Sequence, residues 1–248
     1  MNKYSSIPLA QTLVRLCAQN KIERIVICAG SRNAPLTIGF VSDPFFKTYS
    51  IVDERAAGFF ALGMAQQLKH PVALVCTSGS ALLNFYPAIA EAFYSDIPLV
   101  VLSADRPKYL VGIGDGQTIN QQNVFENHIL YSADLKQDIN NDQDFLKDDE
   151  LQIFKTIENK LETLLGQQQN IQKENEVNIN EALNAAIHKS GPVHINIPFD
   201  EPLYETVDQL SVKSKVIEYD LKSKQIDGFL INELAESWSS ATKKMVIV

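Results

Sequence analysis

Five short apolar runs, Arg24 to Cys28, Thr48 to Val52, Val72 to Cys76, Leu99 to Ser103 and Val193 to Ile197, alternate with segments of helical period. Parallel strands can be joined only by crossovers, and the crossover helices cover both faces of the sheet, so strands that are apolar throughout imply a parallel sheet. The intervening helices are expected at Pro8 to Asn20, Ala34 to Ser42, Ala56 to Leu68 and Ala81 to Tyr94. The fold class is therefore α/β, a doubly wound parallel sheet.

Between Gln137 and Asn180 the composition shifts to Asn, Asp, Gln, Lys and Glu, with Phe154, Ile157, Leu161 and Leu164 spaced for one amphipathic helix. This stretch reads as a surface excursion with a covering helix. A second helix, Glu181 to Lys189, stops at Gly191-Pro192, and Pro198 breaks the strand that follows. The first domain is thus expected over residues 1–202 and a polar linker over 203–227. The remainder, 228–248, holds a helix at Ile231 to Ser239 and a strand at Lys244 to Val248, which is the start of a second α/β domain truncated after one strand.

A formal charge of -8 argues against a nucleic-acid surface, which needs clustered Lys and Arg to displace counterions. The longest apolar runs, such as Ile97 to Leu102, fall far short of the roughly 20 residues that span a bilayer, and the first residues lack a signal-peptide core. A cytoplasmic protein is expected. Cys17, Cys28 and Cys76 are odd in number and embedded in apolar segments, which suits buried reduced thiols.

Candidate chemistry gathers at strand ends. Asp53-Glu54-Arg55 lies where a strand meets an Ala- and Gly-rich helix, so Glu54 faces the carboxyl edge of the sheet, where open α/β sheets bind ligands. Acidic residues in a first turn also stabilise a helix N-terminus, and that reading competes here. Gly30-Ser31-Arg32 follows another strand and offers backbone N–H groups, a hydroxyl and a guanidinium to an anion. Thr77-Ser78-Gly79-Ser80 is a second small-residue turn, and Asp105-Arg106-Pro107 brings an arginine to the same edge. Gly114-Asp115-Gly116, with Asn140-Asn141 downstream, imitates the motif by which thiamine-diphosphate enzymes hold magnesium and diphosphate. It follows no buried strand, and no metal site is expected in this chain.

In order along about residues 5 to 204, five runs resemble the 2-succinyl-5-enolpyruvyl-6-hydroxy-3-cyclohexene-1-carboxylate (SEPHCHC) synthase family of menaquinone biosynthesis. They are Gly30 to Leu36, Asp53 to Phe59, Thr77 to Ala81, Ser103 to Pro107 and Gly191 to Tyr204. The resemblance implies a thiamine-diphosphate pyrimidine-binding domain and the beginning of a central domain. It implies Mg2+ as second cofactor, with its ligands in a C-terminal domain beyond Val248, so that this fragment alone would not turn over. The family decarboxylates 2-oxoglutarate and adds the succinyl carbanion equivalent to isochorismate, releasing carbon dioxide. By resemblance, Glu54 is the catalytic and cofactor-binding glutamate that hydrogen-bonds the pyrimidine ring, while Ser31, Arg32, Arg106 and Gln117 contact substrate. Asn33, Thr77 and Asn120 are weaker candidates, kept out of any catalytic role.

Because the family's cofactor lies between two subunits, a homodimer or dimer of dimers is implied, with Phe59, Phe60, Phe85, Tyr86 and Phe93 available for an apolar face. Two other readings share part of the pattern: an acetolactate synthase-like carboligase or decarboxylase, and a non-catalytic α/β binding domain. The first lacks the Ser-Arg turn followed by the Gly191 to Tyr204 run. The second lacks support from a phosphate-binding glycine fingerprint.

Overall fold

The structure is a computed structural model describing residues 3–139, 153–217 and 228–245, with only the backbone path described at 153–165. It divides into one unit up to residue 218 and a second from 219 onward. In the first, strands β2 (Arg24–Ile27), β3 (Lys47–Ser50), β4 (Val72–Cys76), β5 (Leu99–Asp105), β6 (Tyr131–Asp134) and β7 (Val193–Pro198) form a six-stranded sheet. Its order is β3-β2-β4-β5-β7-β6 and every pairing is parallel. A two-residue strand β1 (Tyr4–Ser5) pairs antiparallel with β8 (Thr206–Val207) beside it.

The side-chain alternation of the strands divides the core into two layers. Ile25, Ile27, Ala73 and Val75 pack with helices α1 (Pro8–Gln19), α2 (Ala34–Ser42) and α6 (Ile153–Lys189), through Leu13, Leu16, Phe40, Ile179 and Leu183. Val26, Cys28, Leu74 and Cys76 face the other way, onto α3 (Glu54–Leu68), α4 (Ser80–Asn84) and α5 (Tyr86–Tyr94), through Ala57, Ala61, Phe85 and Ile89. Cys17, Cys28 and Cys76 are all buried free thiols. The doubly wound α/β class read from the sequence is the fold observed.

Several local expectations change. The run Thr48 to Val52 becomes an edge strand, Lys47–Ser50, with one neighbour and mostly exposed side chains; Val52 is 93% exposed. Tyr131–Asp134 is an unanticipated strand, only half-buried at three of its four residues, as befits the other edge. The single helix expected over Ala81 to Tyr94 breaks at Phe85. Pro87 sits in the first turn of α5, where its missing N–H costs nothing, but inside a continuous helix it would clash with the preceding turn. Conversely, the two helices expected around residues 154–164 and 181–189 are one continuous helix, α6. The side chains proposed for its apolar stripe lie outside the described residues.

Residues 203–217, read as linker, run along the first unit. Leu203 is buried in its core, β8 pairs β1, and Asn180 Nδ2 donates to the Lys215 carbonyl at 3.1 Å. In the second unit, α7 (Gly228–Ser240) is observed, and Lys244 and Met245 are not in a strand; 246–248 lie outside the described residues.

A polar network is buried where β5, β7 and β6 meet. Ser103 Oγ lies 2.7 Å from His194 Nε2 and donates to Asn196 Oδ1 at 3.0 Å, while Gln121 Nε2 donates to Asn196 Oδ1 at 2.7 Å. Asn196 Nδ2 donates in turn to Asp105 Oδ2 and Asp134 Oδ1, both at 2.9 Å. With the serine proton given to Asn196, the consistent assignment places the imidazole proton on Nε2. His194 Nδ1 is then a bare acceptor, without a partner among the described residues. Burial pushes the imidazole pKa down to about 4, against which Asp134 is a lesser influence.

An unfolded histidine takes up a proton below pH ~6.5, whereas the folded one resists until pH about 4. Stability from this group is therefore complete near neutrality and is lost as pH falls through that window. Urea unfolding at pH 7.5 and pH 5 should show the parent protein losing about 2 kcal/mol more than His194→Gln.

Candidate active site

The strand order reverses between β2 and β4. From β2 the chain crosses through α2 to β3 on one side; from β3 it returns through α3 to β4 on the other. In such sheets the carboxyl ends flanking the reversal leave a crevice that no crossover fills. Three turns gather there: the one after β2, the one leading into α3, and the one after β4.

Glu54 is the first residue of α3. Asp53 is its N-cap, with Oδ1 accepting the Ala56 N–H at 2.7 Å, so the helix-stabilising role falls to Asp53. Glu54 is left half-buried. Its charge bears on two thiols at strand ends: Cys28 is pushed up to about 12 by burial and then by Glu54 and Asp53. Cys76 is raised well above its ordinary value by burial, with Cys28 and Glu54 adding to it. The carboxylate is therefore within electrostatic reach of the thiols at the ends of β2 and β4. Cys28 N donates to the Val75 carbonyl at 2.8 Å, which draws these two ends together.

The turn after β2 is built by Asn33. Its Oδ1 accepts the Gly30 N–H at 3.0 Å and its Nδ2 donates to the Cys28 carbonyl at 2.7 Å, so this buried amide is a strut. Gly30 packs against the Thr77 side chain so closely that a Cβ would sit 2.8 Å from Thr77 Cβ. This contact sets the two turns side by side. Ser31 is exposed. Arg32 is 12% exposed; Nη1 donates to the Phe199 carbonyl at 3.1 Å and Nη2 lies 3.6 Å from Glu201 Oε1. Its buried Nε has no hydrogen-bond partner among the described residues.

Arg106, Gln117 and Ser78 form a second group. Arg106 Nη1 donates to Ser78 Oγ and lies 3.4 Å from the Gln117 carbonyl, while Nε pairs with Asp115. Gln117 Nε2 donates to the Ser78 carbonyl and Ser78 Oγ to the Gln117 carbonyl, both at 3.0 Å. Gln121 ties this group to the buried network by accepting the Gly79 N–H at 2.7 Å. Asn120 is exposed and Thr77 is held against Gly30.

Asp115 of the Gly-Asp-Gly motif is thus engaged with an arginine, and Asn140-Asn141 lie outside the described residues. Sequence reasoning missed Ser78 as a partner of Arg106, and it missed Gln121. Ser78 lies in the Thr77-to-Ser80 turn, but nothing in that turn points to Arg106; Gln121 belongs to no motif, and only the pairing of β5 with β7 brings its network together. A cleft of about 280 Å³ beside Pro198–Pro202 is lined by Asp138, Asp200, Glu201 and Glu205, an acidic lining unsuited to anions.

Residues 7–133 match the family model described as thiamine pyrophosphate enzyme, N-terminal TPP binding domain. The chain belongs to this family. Along its whole length it is similar to proteins named SEPHCHC synthase. The one from Flavobacterium psychrophilum is 51% identical over 99% of this chain and 38% of its own. That of Christiangramia forsetii is 53% identical over 99% and 40%, and that of Flavobacterium johnsoniae 47% identical over 99% and 38%. The chain therefore spans about two-fifths of the length of these curated relatives. The family read from the five sequence runs is the one these matches give.

Gly79 is the tightest point of the site. Its φ is +73°, and a Cβ there would sit 2.4 Å from the Gln117 carbonyl oxygen. Gly79→Ala should cost about 1–3 kcal/mol in thermal or urea unfolding, because both strain and overlap must be relieved.

Proposed function

We propose that this chain is the pyrimidine-binding part, followed by the start of a central domain, of a SEPHCHC synthase joining 2-oxoglutarate and isochorismate with loss of carbon dioxide. The observation that carries this reading is a half-buried glutamate, Glu54, opening α3 at the strand-order reversal within electrostatic reach of the thiols that end β2 and β4. Support comes from the family match over residues 7–133 and from the names of the similar proteins.

A flat heterocycle is proposed to sit at this strand-order reversal, beside small-residue turns and within reach of the Glu54 carboxylate, with the thiols of Cys28 and Cys76 buried in the core below. Bound thiamine diphosphate supplies the carbanion chemistry, with Mg2+ and its ligands outside this chain. Glu54 contributes by holding or sharing a proton at a ring nitrogen of the pyrimidine, which raises the basicity of the group conjugated to it. Gly30 and Gly79 let the surrounding turns pack closely, Gly30 against Thr77 and Gly79 against the Gln117 carbonyl. Buried Cys28 and Cys76, their thiols held protonated, keep water from beneath the carboxylate.

The substrates are both dicarboxylic acids, and guanidinium groups bind carboxylates through paired, charge-assisted hydrogen bonds. Arg32 retains donor capacity at its buried Nε, and Arg106 is held at a fixed orientation by Ser78 and Gln117. Ser31 and the Gln117 side chain complete the proposed contacts.

The exposed side chains of Phe59, Phe60, Leu83 and Tyr94 on α3 to α5 are proposed to meet a second subunit. Phe85 is excluded from that face because it is fully buried. No described helix is long and apolar enough to cross a membrane, and action in the cytoplasm is part of the proposal.

The full-length protein, supplied with thiamine diphosphate and Mg2+, should release carbon dioxide only when both acids are present. Glu54→Gln should lower turnover by about 10²–10⁴-fold, and near-normal activity of that variant would remove the proposal. Arg32→Ala and Arg106→Ala should each raise the Michaelis constant for at least one acid.

A further inference from the structure

The two arginines proposed to receive substrate share an arrangement that their role as substrate contacts does not require. Arg106 is 16% exposed and its Nε pairs with Asp115, which is 39% exposed. Arg32 is 12% exposed and pairs with Glu201, which is 72% exposed. In both pairs the cation is withdrawn from water and held by the body of the domain, through Ser78 and Gln117 in one case and the Phe199 carbonyl in the other. In both, the acid is the more exposed partner on a connecting segment.

Asp115 lies on a glycine-rich, exposed loop. Gly112 and Gly114 both have φ +86°, and a Cβ at Gly112, Gly114 or Gly116 would meet nothing within 4 Å. The loop can therefore change course with little steric cost. Glu201 occupies the strap that follows β7, next to Asp200, whose Oδ1 accepts the Glu201 N–H at 2.9 Å.

A mostly buried guanidinium without a counter-charge is costly, whereas a half-exposed ion pair is worth little and exchanges readily. A carboxylate of the same chain satisfies the cation at small expense to the substrate that must replace it. We propose that Asp115 and Glu201 are internal stand-ins for the substrate carboxylates, paired with Arg106 and Arg32 in the free protein and displaced when the acids bind. This rests on the reading of Arg32 and Arg106 as substrate contacts.

Binding then exchanges one ion pair for another, and its net gain is a difference. The two acids raise the Michaelis constants above what the arginines alone would give. They also demand that a ligand bring its own charge, because a neutral analogue cannot take over a guanidinium already occupied.

The test uses the full-length protein with thiamine diphosphate and Mg2+, measuring kcat and KM for 2-oxoglutarate and isochorismate. Asp115→Asn and Glu201→Gln should each lower KM for one acid by about two- to fivefold, with kcat changing much less. A residue with a merely structural role would instead leave KM unchanged or raise it, and that result in both variants overturns the proposal. The two substitutions lie on separate segments, so a folding defect in one leaves the other decisive. Arg32→Ala and Arg106→Ala are assayed alongside. Raised KM in these, with no fall in the acid variants, refutes displacement and spares the proposed function. No effect in any of the four removes the substrate role of the arginines and this inference together.

Discussion

Between β2 and β4 the chain reverses its direction of travel across the sheet, and the gap left there organises everything around it. A reversal needs two helices on opposite faces, which divides the core between the α1, α2 and α6 layer and the α3, α4 and α5 layer. It also brings a first-turn acid of α3 within electrostatic reach of strand ends it does not follow in sequence. The placement of Glu54 is a consequence of strand order more than of any local preference.

The crevice is kept in shape from beneath. Buried amides cost free energy unless each finds its partners, and a satisfied network specifies one arrangement of the strands that carry it. Here Gln121 links the Gly79 turn to Asn196 and Ser103, and Asn196 reaches the carboxylate of Asp105. Asp105 Oδ1 then accepts the N–H of Arg106 at 2.8 Å. Burial raises the Asp105 carboxyl, with the Asn196 and Arg106 hydrogen bonds opposing that rise. One connected set of hydrogen bonds thus runs from the middle of the sheet to the backbone of Arg106 and of the Gly79 turn.

Much of this was legible in the amino-acid order. The apolar runs at Val72 and Leu99 have no polar face, which only a covered parallel strand permits, and both are buried at every residue. Gly30-Ser31-Arg32 and Arg106 could be placed at the sheet edge because each follows such a run. The edge strands were harder: the run Thr48 to Val52 marks a strand but neither its bounds nor its exposure, and Tyr131–Asp134, with one buried residue, leaves little hydrophobic signal. Helix boundaries moved where proline chemistry or tertiary packing overrode periodicity, as at Pro87. The partnership of Arg106 with Ser78, 28 residues earlier, depends on tertiary approach and has no signature in local sequence.

β7 lies between β5 and β6 although it is the last of the six strands in the chain. As the polypeptide emerges from the ribosome, β5 presents an open row of hydrogen-bonding groups that stays unmatched until residues 193–198 are made. Exposed strand edges invite pairing with other chains, and parallel pairings between distant segments form slowly. The nascent protein therefore passes through a stage in which its central sheet is built on one side and vacant on the other, when it depends most on shielding by the cell's folding machinery.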